Sequence, residues 1–200
     1  MHQRVFSYTS VFVLLSFLFT GLVFGGGPTE KIRETTDKII SILKDSSLKG
    51  PDKATERKAL IRKAGDERFD WEEMARRCLA REWRKRTQEE KKEFVDLFGK
   101  LLERTYLDKV EGYSGEKVVY ENEKIEGDYA LVKVKVVTSK GTEIPVLYKL
   151  KKKDGDWLVY DISIEGVSLV NNYRVQFRSI IARSSYKGLV KKLKKKVESK

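Results

Sequence analysis

The sequence predicts an α+β fold in which several helices pack against a curved antiparallel sheet of about four strands. Three observations predict it. Apolar residues recur at helical spacing from Pro28 to Glu111, the period shortens to two between Glu116 and Ile164, and helical spacing returns from Val167 to Arg183. The later strand-like segments are separated by Gly141 and by Asp154-Gly155, turns too short for the crossover that parallel strands need. Helices first, a meander next and a helix last place the helices on one sheet face.

Each element has its own grounds. Pro28 to Lys44 reads as a helix with Ile32, Thr35, Ile39 and Ile42/Leu43 along one side. Asp45 to Asp52 is a polar break holding Gly50 and Pro51, and Lys53 to Gly65 reads as a second helix. Asp70 opens a third, with Glu73 three residues on in a capping arrangement; Trp71, Met74, Ala75, Cys78 and Leu79 form its apolar side. Thr87 and Glu90 repeat that arrangement ahead of a long helix, Thr87 to Glu111. It carries Phe94, Leu97, Phe98, Leu101, Leu102, Thr105 and Tyr106, and Gly112 and Gly115 end it. Glu116 to Tyr120 is a short strand. Tyr129 to Thr138 alternates, with Ala130, Val132, Val134 and Val136 on one side and Lys133 and Lys135 on the other. Thr142 to Leu150 gathers Ile144, Val146, Tyr148 and Leu150, and Trp157 to Ile164 is the fourth strand. Gly166 ends the sheet. Val167 to Arg183 is a helix with Val170, Tyr173, Phe177 and Ile180/Ile181 on one side, and Leu189 and Leu193 carry the apolar edge into a Lys-rich tail. This order is similar to a cystatin-like or nuclear-transport-factor-like cone, where a curved sheet wraps long helices; fold alone does not decide function.

Residues 1–25 read as a secretory signal peptide: His2 and Arg4 precede an apolar run, Val11 to Val23, and small residues Gly25, Gly26 and Gly27 follow. The run is shorter than a spanning helix needs. Residues 28–200 then form a single exported domain. Its one cysteine, Cys78, cannot make an internal disulfide and reads as a small buried hydrophobe. The net charge is +12 and 36% of residues are charged, but acids and bases are interleaved as on solvated helix faces.

The residue inventory argues against catalysis. His2 is the only histidine, so the exported domain has no imidazole for a triad, a general base or a metal site. There is no phosphate-binding glycine loop, and Gly166-Val-Ser-Leu-Val lacks the last glycine of a nucleophile elbow. No cofactor is expected. Asp161 and Glu165, at a strand end, are the carboxylates a small-molecule enzyme would use. Arg76, Arg77, Arg81, Arg84 and Arg86 cluster near Trp83, but the aromatics fall at core spacing, and nucleic acid is not an expected partner. What remains is an apolar inventory: slim β-branched residues inward on the strands and large apolar residues on the facing helices. On composition alone that is an ordinary packed core, which leaves a structural adaptor with a solid interior as a further alternative.

Four stretches narrow the choice. Phe69-Asp-Trp-Glu-Glu-Met-Ala-Arg-Arg-Cys-Leu, Glu93-Phe-Val-Asp-Leu-Phe-Gly-Lys-Leu-Leu, Ile144-Pro-Val-Leu-Tyr-Lys-Leu and Ile164-Glu-Gly-Val-Ser-Leu-Val-Asn-Asn-Tyr-Arg-Val-Gln-Phe stand in that order. From Phe69 to Leu193 the chain resembles the periplasmic phospholipid-binding MlaC family, also called the toluene-tolerance auxiliary family. The resemblance implies a periplasmic carrier, not an enzyme, that holds a glycerophospholipid by its tails. It shuttles that lipid between an inner-membrane ABC transporter complex with its substrate-binding ring and an outer-membrane lipoprotein complex. Cys78 stands where the family commonly has a small residue such as alanine.

The physics of the cargo agrees. Each exposed tail methylene costs about 0.8 kcal/mol, so two tails cost on the order of 20 kcal/mol in water. A carrier must therefore offer a dry slot. A ten-residue strand spans roughly 33 Å, against about 15 Å for one leaflet's hydrocarbon. With this resemblance, a lipid-sized apolar cavity is expected between the sheet and the helices Thr87–Glu111 and Val167–Arg183. Leu101, Tyr106, Val134, Val146, Tyr148, Val170, Tyr173 and Phe177 are the expected tail contacts. No compact set of donors marks a headgroup pocket, so little headgroup selectivity is expected.

Overall fold

Asp70 and Thr87 do at two helix starts what their spacing predicts. In the computed structural model, which describes residues 26–198, the Asp70 carboxylate accepts from the Glu73 backbone N–H. Thr87 and Glu90 close a complete capping box, each side chain taking the other's backbone N–H. Residues 1–25, read as a signal peptide, lie outside the described residues.

Four helices come first: α1 (Pro28–Lys44), α2 (Ala54–Asp66), α3 (Trp71–Leu79) and α4 (Gln88–Glu111). Short 3₁₀ turns fill the breaks, among them Ala80–Lys85 between α3 and α4. The sheet follows in simple meander order: β1 (Lys117–Glu126), β2 (Tyr129–Val137), β3 (Glu143–Lys153), β4 (Asp156–Ile164) and β5 (Val167–Ser168), all antiparallel. α5 (Leu169–Glu198) closes the chain.

The α+β class holds, with two corrections to the elements. The sheet has five strands rather than about four, because Val167 and Ser168 pair with Ile164 and Ser163 before the last helix begins. Glu165 and Gly166 make the turn with φ of 50° and 82°. A Val at the head of an apolar helical stripe gave no sign of this pairing. β1 also runs to Glu126 rather than stopping at Tyr120. A bulge after Tyr120 shifts its register against β2, and the polar run beyond it is an exposed edge, so no alternation marks it. Asp154 and Gly155, with φ of 51° and 86°, form the turn that the Asp-Gly pair predicts.

The predicted inward set is correct. Val134 lies opposite Val146 and Val136 opposite Ile144, and across the next ladder Val146 meets Ile164 and Tyr148 meets Ile162. A bulge in β4 at Tyr160 turns Asp161 to the opposite face, where Lys149 pairs with it.

The interior divides into two apolar clusters. One is helical, from α3, α4 and α5, with Phe94 and Phe98 fully covered at its centre; Phe177 meets both rings edge-on and Tyr173 meets Phe98 edge-on. The other is the inner sheet face with Ile32 of α1 pressed on it. Phe69 touches both.

Candidate functional site

The inner sheet face is not covered evenly. At one end Ala130, Val132, Leu150 and Val159 are at most 2% exposed. Toward the β2–β3 turn, Val118, Tyr120, Val136, Ile144, Tyr148 and Ile162 are only half buried. Such a gradient is unusual for a surface this apolar, because exposed apolar area costs about 25 cal/mol per Å². Apolar surface at this end stays accessible.

The helices frame that place without sealing it. α1 leans on β1 and β2, while α3 and α5 reach the sheet at β4; α4 packs chiefly on α5 and α3. Partly buried Tyr106, Ile180 and Ile181 flank the helical cluster.

The eight expected tail contacts fall on both clusters. Leu101, Tyr106, Val170, Tyr173 and Phe177 belong to the helical one; Val134, Val146 and Tyr148 belong to the sheet. Leu101, Val134, Val146, Val170, Tyr173 and Phe177 are each at most 9% exposed, covered by neighbouring side chains rather than facing open space. Tyr106 and Tyr148 keep accessible surface. Tyr148 keeps part of its surface while neighbouring side chains crowd it. The same enclosure, with Tyr120 nearby, pushes its phenol up to about 12. The expected tail contacts thus divide between two separate clusters, and six of them are closely covered by neighbouring side chains.

Sequence reasoning passed over Tyr120. It lies on β1 opposite Val134, and its hydroxyl is buried without completing a hydrogen bond. Thr36 stands beside it; its proton goes to the Ile32 carbonyl at 2.8 Å and its oxygen is still able to accept, but the two hydroxyls do not complete a hydrogen bond. The Arg33 guanidinium lies 4.0 Å from the ring centroid. An unpaired buried hydroxyl costs about 1–3 kcal/mol, which singles it out among side chains whose polar atoms are otherwise satisfied. The only sequence signal was a tyrosine at the inward parity of a short strand.

The other candidates are structural. Asp161 is buried, and its carboxylate accepts from the Val170 backbone N–H, the Ser168 hydroxyl and Lys149 Nζ at 3.1, 2.7 and 3.0 Å. It anchors the start of α5 and has little capacity left for a substrate. Glu165 is exposed in the β4–β5 turn. Cys78 donates to the Val170 carbonyl, and burial pushes its thiol up to about 12, which makes it inert. Among the described residues no group of His, Cys, Asp or Glu is arranged to hold a metal ion.

The arginine cluster forms a surface cleft of about 430 Å³ lined by Arg76, Arg77, Arg81, Arg84, Arg174 and Trp83. It is a basic surface and no place for acyl chains. None of the described helices is long and apolar enough to cross a membrane.

Comparison with known proteins agrees with this geometry. A family model described as MlaC protein matches residues 33–195. The intermembrane phospholipid transport system binding protein MlaC of Haemophilus influenzae is 25% identical over 188 residues, covering 91% of this chain and 88% of that protein. The toluene tolerance protein ttg2D of Pseudomonas putida is 28% identical over 102 residues, 50% of this chain and 47% of its own. A phospholipid-binding protein from Ralstonia solanacearum, solved in complex with a phospholipid, matches with a TM-score of 0.76 and 25% identity, over 86% of this chain and 97% of that one.

Proposed function

The chain belongs to the MlaC family, and on that premise we propose that it is a periplasmic phospholipid carrier, exported by a cleaved signal peptide at residues 1–25. It takes a glycerophospholipid from one membrane complex and delivers it to another, keeping the tails dry in transit. The partners are an inner-membrane ABC transporter complex with its substrate-binding ring and an outer-membrane lipoprotein complex. Acidic faces on those complexes would meet the basic surfaces around Arg81 and Lys191 to Lys196. The chain performs no reaction in this reading, and Asp161 serves the fold.

One observation carries the proposal: a continuous apolar sheet face, sealed at one end and half-covered at the other, next to a helical cluster that shares only Phe69 with it. Tails enter by parting the two clusters, which exposes Val134 and Val146 on one side and Leu101, Val170, Tyr173 and Phe177 on the other, with Tyr106 and Tyr148 at the edges. Each methylene buried then recovers about 0.8 kcal/mol.

The close cover over those six residues favours a second reading, an adaptor with a solid core. Mass spectrometry of the purified chain under native conditions separates the two. The carrier arrives with copurified phospholipid and takes more from vesicles, and Val134→Trp, which fills the seam, lowers occupancy several-fold. A chain with no lipid and no uptake is an adaptor.

A further inference from the structure

Tyr120 holds the one buried side-chain oxygen among the described residues that lacks a hydrogen-bond partner. It lies on the inner sheet face at the half-covered end, across from Val134. A second phenol, Tyr148, is near enough to interact with it. The charged groups around it are Arg33, Asp37 and Glu30. These largely cancel: Arg33 lies within 3.7 Å of the Glu30 carboxylate. The Tyr120 hydroxyl is therefore a neutral donor in apolar surroundings with no surplus positive charge, the Thr36 hydroxyl being the polar group beside it. A phosphate would gain little from Arg33 and would meet two carboxylates. A neutral carbonyl suits the donor better, because both partners leave water cheaply.

A glycerophospholipid has such carbonyls where its tails begin, in the acyl esters. We propose that the Tyr120 hydroxyl donates a hydrogen bond to an acyl-ester carbonyl of the bound phospholipid, fixing the depth to which the tails enter. This rests on the carrier reading and adds to it a named contact. Burial raises both phenols, so Tyr120 and Tyr148 stay protonated, and Tyr120 remains a donor, throughout the physiological range. The contact is also consistent with the expected lack of headgroup selectivity, since every diacyl phospholipid carries the ester.

The test compares two lipids on two proteins. Dioleoyl phosphatidylethanolamine and its dialkyl ether analogue, matched in chain length, compete for uptake from vesicles by the full exported domain and by Tyr120→Phe. An ether oxygen is a poor acceptor, so the unaltered protein prefers the diester by roughly five- to tenfold, the worth of one hydrogen bond. Tyr120→Phe takes up both alike, at the level of the ether. A preference that survives in Tyr120→Phe, or is absent from the unaltered protein, overturns the assignment while leaving the carrier intact. Failure of both proteins to take up either lipid overturns the carrier reading and the contact with it. The variant deletes only an unpartnered hydroxyl, and a melting temperature equal to or above that of the unaltered protein confirms that folding is not the cause.

Discussion

A carboxylate taken out of water needs donors, and Glu73 shows how locally they are found. It is 8% exposed, on α3, and its oxygens take Arg76 Nε and Nη2 at 2.7 and 2.6 Å and Arg77 Nε at 2.8 Å. Burial works against its charge, but the two guanidiniums overcome it and hold the carboxyl below its ordinary value of 4.5. A folded value below the unfolded one gives stability that is present above pH 4.5 and lost as pH falls through the folded value. Glu73→Gln, which keeps shape and loses charge, is therefore expected to cost about 1 kcal/mol at pH 7 and less at pH 3, below the ordinary value of 4.5. Urea unfolding at the two pH values checks this; an equal cost at both would remove the ion pairs from the explanation. The motif around Glu73 was legible in the sequence as a helix start. Its double arginine contact was legible only as i+3 and i+4 spacing, and burial decided its strength.

At the scale of elements, α5 departs most from expectation. The helix predicted to end at Arg183 breaks at Ser185, with φ 72° and ψ 171°, and a second helical segment that was not predicted runs on to Glu198. That conformation is nearly reserved for glycine. It lets the second half turn back on α4: Tyr186 donates to the Glu90 carbonyl, Lys194 pairs with Glu93, and Leu189 and Leu193 join the helical core. The Lys-rich tail is expected to carry an apolar edge through Leu189 and Leu193. It is a packed helix, because Leu189 and Leu193 find a partner that no local pattern names. Ser185 also accepts from the Gly188 backbone N–H, capping the new segment. Ser185→Gly relieves the backbone at the loss of a few tenths of a kcal/mol of capping. A net gain of about 0.5–1 kcal/mol in chemical denaturation is the expected outcome, and a loss would mean that the cap outweighs the strain.

Across the whole molecule, residues 68–70 join the two apolar clusters. Phe69 forms a parallel bridge with Val159 on the outer edge of β4, with hydrogen bonds from Val159 N to the Arg68 carbonyl and from Asp70 N to the Val159 carbonyl. Arg68 is buried and donates to the Trp157 carbonyl at 2.7 Å, to Asp156 at 3.2 Å and to Thr35 on α1 at 3.2 Å. One side chain thus ties α1, the α2–α3 connection and the sheet. Arg68→Ala leaves three acceptors short of a donor and is expected to cost roughly 3 kcal/mol. If the two clusters part to admit a lipid, this joint is where they stay together, and the same variant loosens lipid retention along with stability. Thermal unfolding with and without copurified lipid measures both.

The sequence by itself determined the order of helices and strands, the helix caps, the inward rows of β2 to β4 and the family. Each is written in near-neighbour chemistry: a period of 3.6 or two, a capping residue three positions ahead of its partner, an Asp-Gly turn. The tertiary structure alone decided that the expected tail contacts divide between two clusters and that six of them are closely covered. Whether Val134 and Phe177 lie open or covered depends on how the layers around each settle, and that has no counterpart in local pattern. The isolation of the Tyr120 hydroxyl was equally invisible, since a missing partner is a property of everything around a residue and of nothing within the residue itself.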